Sequence, residues 1–140
     1  MSYQVKVYAD SDYPVMAAWW VAHGWQAVDK AILPKLGLVV CMQEVDCDTP
    51  IVAGWLYMDN SVGVSWMEWV VSNPNATAMQ VYRGMGILID SMRDLAKSNN
   101  YGVMLTCCRQ PSLVRLYEKN GFMKTDSDVI HLISTTGLEK

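Results

Sequence analysis

Between Pro74 and Gly121 the chain passes through a long helical repeat, a short apolar run and a second helix, and this stretch limits the possible fold most. Met85, Leu88, Met92 and Leu95 recur at steps of three and four. That spacing predicts a long helix with one buried stripe, ending near Asn99-Asn100. Val103–Cys107 is short and apolar, as expected of a strand inside a sheet. Ser112–Asn120 predicts a helix that carries Tyr117 and stops at Gly121. A helix that buries a stripe beside an internal strand needs a sheet to pack on, so the expectation is a layered α/β (α+β) fold.

The rest of the chain supplies that sheet. Tyr3–Tyr8 alternates and predicts an opening strand. Asp10 to Asp12 and Pro14 start a helix that runs through Met16, Trp19 and Trp20 to His23, and Gly24 ends it. Gln26–Ile32 is a short helical or irregular piece. Leu38–Gln43 is a strand, and Ile51–Met58 and Val62–Val71 form a hairpin around Asp59-Asn60-Ser61. Val129–Ile133 is expected to be a last strand, on an edge where two subunits of a homodimer could pair. The order predicts a mixed, mostly antiparallel sheet with helices on both faces. At 140 residues, without repeats or a linker, residues 1–140 are read as one domain.

Two starts compete for the long helix. Thr77-Ala-Met-Gln80 is a capping box, which opens the helix at Thr77 and puts Gly84 and Gly86 inside it at roughly 1 kcal/mol each relative to alanine. The alternative opens it at Arg83, where Gly84 and Gly86 free backbone amides for an anion. Either start leaves an anion site, displaced by a turn or two.

Arg83-Gly84-Met85-Gly86-Ile87 and Leu116-Tyr117-Glu118-Lys119-Asn120-Gly121-Phe122 together resemble the pyrophosphate signature and the Leu-Tyr-x-Lys-x-Gly-Phe ending of the GNAT N-acetyltransferases. The element order is that of a GNAT domain too, although only about forty residues match at motif level. The general wording is also similar to small GNAT-like proteins of bacteria and their phages. The resemblance implies transfer of an acetyl group from acetyl-CoA to a primary amine, on a small molecule or a peptide, by direct attack on the thioester. Under it Arg83, Gly84, Met85, Gly86 and Ile87 hold the cofactor's phosphates. A backbone amide near Val70 and Val71, on a bulged strand, faces the thioester carbonyl. Tyr117 protonates the departing thiolate. Two departures stand out: Leu88 replaces a usual small residue, and Gln110 stands nearest to a usual asparagine.

Glu68 is the other candidate. It is the only carboxylate between residues 60 and 89, and it sits among Trp66, Met67 and Trp69. Apolar surroundings raise a carboxyl pKa towards neutrality, which suits a general base. An outward-facing position on an alternating strand would give it no such role. The six tryptophans, all in the first half, are expected in the core. His23 is expected at a helix C-terminus.

Composition excludes more than it assigns. Two histidines and four cysteines without a Cys-x-x-Cys pair argue against a metal site, and the thiols are expected to be buried and free. No apolar run approaches the roughly 20 residues of a membrane span, and no signal peptide is apparent, so a cytoplasmic protein is expected. A net charge of −3 makes nucleic acid an unfavourable partner. Residues 83–124 nevertheless hold seven Lys/Arg against three acids, whereas the remainder holds four against eleven. A basic segment in an acidic chain suits a polyanionic cofactor and a cationic acceptor. The imperfect glycine signature leaves one other reading: an inactive GNAT-like domain that binds a protein partner.

Overall fold

The computed structural model describes residues 2–138. Its elements are β1 (Tyr3–Val7), α1 (Tyr13–Ala22), β2 (Gly37–Gln43), β3 (Asp48–Met58), β4 (Val64–Ser72), α2 (Ala78–Ser98), β5 (Val103–Leu105) and α3 (Pro111–Lys119). Of the piece expected over Gln26–Ile32, only a 3-10 turn at Lys30–Ile32 is regular. The five strands form one sheet in chain order. All neighbours are antiparallel except β4 and β5, which run parallel because α2 crosses over between them. This is the mixed, mostly antiparallel sheet expected from the sequence.

Strand alternation sorts the core into two layers. Leu38, Val40, Met42, Val52, Leu56 and Met67 face α2 and α3, where they meet Met85, Leu88, Met92 and Tyr117. Val39, Cys41, Ala53, Trp55 and Val71 face the other way, onto Met16, Trp19 and Trp20 of α1. Helices therefore cover both faces. Trp19, Trp20 and Trp55 are buried as expected, whereas Trp25 and Trp66 are exposed. His23 caps the C-terminus of α1, with Nε2 2.9 Å from the Ser72 carbonyl oxygen.

The long helix opens at Thr77. The Thr77 hydroxyl accepts from the Gln80 amide at 3.2 Å, and the Gln80 side chain accepts from the Thr77 amide at 2.9 Å. These two bonds resolve the competing starts against Arg83. Gly84 serves packing instead. β3 slips register against β2 beside Val40, which turns both Ile51 and Val52 towards α2. A Cβ on Gly84 would lie 3.2 Å from Ile51 Cγ2 and 3.3 Å from Val52 Cγ2. A Cβ on Gly86 would meet only Asn120 Oδ1, at an ordinary 3.5 Å. The two glycines should therefore respond oppositely to alanine. Gly86→Ala should stabilise by about 1 kcal/mol through helix propensity. Gly84→Ala should destabilise, because overpacking against β-branched side chains fixed in the sheet costs about 1–3 kcal/mol. Thermal melts of the two variants, one rising and one falling by a few degrees, check the assignment.

The last strand expected at Val129–Ile133 is absent, and 123–138 holds no regular element. Val129, Ile130, Leu132 and Ile133 are all exposed. The alternation is real, but a strand needs a ladder partner. β5 offers an edge of only three residues, and Asp128 at φ 59° turns the chain immediately before Val129. The edge strand on which the expected subunit pairing rested is therefore not formed.

Candidate active site

The site is built where β4 and β5 part. β4 has nine residues, but its ladder with β5 covers only Val64–Trp66 against Val103–Leu105. The Thr106 hydroxyl donates to the Met67 carbonyl at 2.8 Å and closes the paired end. From Glu68 onward β4 has no strand neighbour on that side among the described residues. A gap opens there.

β4 also bulges at the gap. Ala53 pairs Val71 and Trp55 pairs Glu68, so two residues, Trp69 and Val70, stand opposite Gly54 alone. Trp69 takes the left-handed conformation, φ 59°, a strained choice for a bulky residue. Its indole is held by donation to the Tyr57 hydroxyl at 2.8 Å, and its carbonyl accepts from the Trp20 indole at 3.3 Å. Val70 packs into the α2 layer and Val71 into the α1 layer. Apart from their apolar side chains, these two residues offer only backbone groups, and a bulge redirects backbone amides.

Tyr117 and Glu68 reach the gap from opposite faces. Glu68 is the cross-strand partner of Trp55, which lies in the α1 layer, and directly opposed residues share a face. Tyr117 belongs to the α2 layer and is 4% exposed, with Phe122 edge-on at 5.2 Å. Burial pushes its phenol well above the usual tyrosine range, further raised by Cys108, Glu68 and Cys107, while the Thr106 hydroxyl beside it pulls the other way. A phenol so placed is protonated at every physiological pH and can act only as an acid. Burial also raises the Glu68 carboxyl above its ordinary value, opposed by the Cys107 thiol, His131 and the Trp69 amide. The two groups differ as an acid and a base must.

The start of α2 adds an anion-binding surface. With the Gln80 amide taken by Thr77, the first-turn amides of Ala78 and Met79 are left without an intrahelical partner. Arg83 lies about one turn further in, exposed, so the amides of Gly84–Ile87 are inside the helix rather than at its tip. Met85 is 2% exposed and contributes to the core. The expectation that Arg83–Ile87 forms the tip itself is corrected by the capping box. Lys119 from α3 leans over the ring of Tyr82, the residue before Arg83 in the chain, at 5.6 Å.

Two residues at this site escaped the sequence reading. Cys107 was expected among the buried thiols, and only Cys41 is fully buried. Cys107 is exposed, its thiol donates to Glu68 Oε1 at 3.4 Å, and His131 Nε2 lies 3.0 Å from its sulfur. Burial and the Glu68 charge push the Cys107 thiol up to about 12. It is neutral at pH 7, unlike an activated nucleophile. Among the described residues no group of three His, Cys, Asp or Glu side chains is arranged for a metal, and no helix is long and apolar enough to cross a membrane.

This chain, a mostly antiparallel five-stranded sheet with three α-helices, has the fold of the GNAT acetyltransferases. It is similar to the ribosomal-protein-S18-alanine N-acetyltransferase of Escherichia coli, with a TM-score of 0.70 and 11% identity over 89% of this chain and 80% of that one. An acetyltransferase of Trypanosoma brucei gives a TM-score of 0.62 and 19% identity over 94% of this chain and all (100%) of the other. The N-acetylglutamate synthase of Neisseria gonorrhoeae, solved with coenzyme A and N-acetyl-glutamate, gives 0.65 and 12% over 93% of this chain and 30% of its own. No family model matches the sequence, and no curated protein matches it.

Proposed function

We propose that the protein is an N-acetyltransferase that moves an acetyl group from acetyl-CoA to a primary amine by direct attack on the thioester. The observation that carries this reading is the convergence of a neutral phenol and a raised carboxyl on the β4–β5 gap from opposite faces. A similar fold was solved with coenzyme A bound, and the gap, the bulge and the free first-turn amides of α2 suit such a ligand. The cofactor supplies an activated acetyl group. Ala78, Met79, Arg83 and Lys119 would hold its phosphates, by helix-end amides and by charge. Gly84, Met85, Gly86 and Ile87 support that surface from within the helix.

The protein's part is proton transfer and positioning. Glu68 takes one proton from the incoming ammonium and passes it to solvent. The amide beside Val70 and Val71 faces the carbonyl oxygen, where a fixed donor stabilises growing negative charge by roughly 3 kcal/mol. As the C–N bond forms and the C–S bond breaks, Tyr117 gives its proton to the sulfur. The amine's second proton restores the phenol. A neutral Cys107 disfavours an acyl-enzyme route, which needs a thiolate.

Isothermal titration with acetyl-CoA tests the reading. Binding is expected, and Arg83→Glu should weaken it about tenfold, by removing one charge-assisted phosphate contact and adding a repulsion. No heat at millimolar acetyl-CoA would count decisively against it. The acceptor is a small molecule or a peptide bearing an amine, identified by an acceptor screen that reads thiol release.

A further inference from the structure

Cys107 and His131 reach Glu68 from two segments far apart in sequence. Glu68 lies on β4, Cys107 two residues beyond the end of β5, and His131 in the irregular stretch after α3. The thiol bridges the other two: its sulfur is 3.4 Å from Glu68 Oε1 and 3.0 Å from His131 Nε2. The sequence joins them by no spacing motif.

We propose that Cys107 and His131 are positioning residues for Glu68, with the thiol fixing one carboxylate oxygen and the imidazole closing the cluster from the solvent side. This rests on the reading of Glu68 as the base. A half-buried carboxylate on the unpaired part of a strand has two soft side-chain torsions beyond Cβ, and a base off by one rotamer is out of reach of its proton. The Trp69 amide, adjacent in the chain, and the Cys107 thiol are its hydrogen-bond partners.

The cluster also sets the charge on the base. Burial alone would keep Glu68 protonated to higher pH, where it accepts nothing. The thiol bond and the electrostatic influence of His131 both favour the ionised form. The other titratable group coupled to it is Tyr117 of α3, neutral below the alkaline range because burial raises it. Thus only Cys107 and His131 act to lower it from the β5 and C-terminal sides.

Carboxyl carbon-13 NMR on glutamate-labelled protein tests this without an acceptor. There are four glutamates, at 44, 68, 118 and 139, and the resonance lost in Glu68→Gln identifies the one of interest. Its midpoint is expected above the ordinary glutamate value in the native protein. Cys107→Ala and His131→Gln should each move it further up, and Cys107→Ser, which keeps a donor, should restore it. Iodoacetamide labelling of Cys107, followed by peptide mass, reads the reciprocal effect. Glu68→Gln should accelerate it, by about tenfold for each unit the thiol falls. Midpoints unchanged in both Cys107→Ala and His131→Gln would overturn the proposal, as would a Ser variant that behaves like Ala. Loss of the base assignment itself would show differently, as turnover that survives Glu68→Gln with the NMR shifts intact.

Discussion

Tyr117→Phe is expected to lower kcat by roughly two to four orders of magnitude, the range for a lost general acid, with little change in acetyl-CoA affinity. The reason lies in the burial of the side chain. At 4% exposure and wedged against Phe122, the ring contributes packing that phenylalanine reproduces, whereas only the hydroxyl interacts with Thr106. The variant therefore removes a proton and leaves the wall. A thiolate leaving without that proton departs as the free anion, so the loss should be smaller for a donor with a more acidic thiol. A collapse of acetyl-CoA affinity, read by titration on the same sample, would instead make Tyr117 a packing residue.

The second large effect concerns Glu68. Glu68→Gln keeps the shape and the bond from Cys107 but abolishes the proton acceptor, and turnover should fall about 10²- to 10⁴-fold. The pH profile separates this from a structural loss. Burial raises the carboxyl above its ordinary value, and a base works only when ionised, so kcat/KM should climb as pH rises through that displaced midpoint. In Glu68→Gln that limb should vanish, leaving only the limb of the amine itself. Retention of the lower limb in the variant would exclude Glu68 as its source.

The elements that carry the candidate residues were legible from residue order because they depend on local signals: the helix bearing Tyr117 stops at Gly121, and Glu68 stands among apolar neighbours on one strand. The role proposed for Tyr117 comes from the resemblance of Leu116–Phe122 to the GNAT ending, not from its helix. What stayed hidden depends on contacts between distant segments. The start of α2 was ambiguous because Thr77–Gln80 and Arg83–Ile87 each carry a valid local signal. The capping-box bonds decide for Thr77, and packing accounts for the competing glycine: Gly84 has no side chain because a bulge in β3, thirty-odd residues away, turns Ile51 and Val52 against the helix. Alternation at Val129–Ile133 was read correctly as a pattern and wrongly as a strand, since the three residues of β5 give it too short a partner. Cys107 was assigned to the interior by composition, yet β5 ends at Leu105, and the next residues turn outwards towards Glu68.

The gap between β4 and β5 is the claim on which the catalytic account depends, and a crystal soaked with coenzyme A tests it most directly. The pantetheine arm should lie in the opening beyond Thr106 and Met67, its sulfur near the Tyr117 hydroxyl and its phosphates at Ala78, Met79 and Arg83. Density for the ligand anywhere else, or side chains filling that opening when the ligand is present, would contradict it.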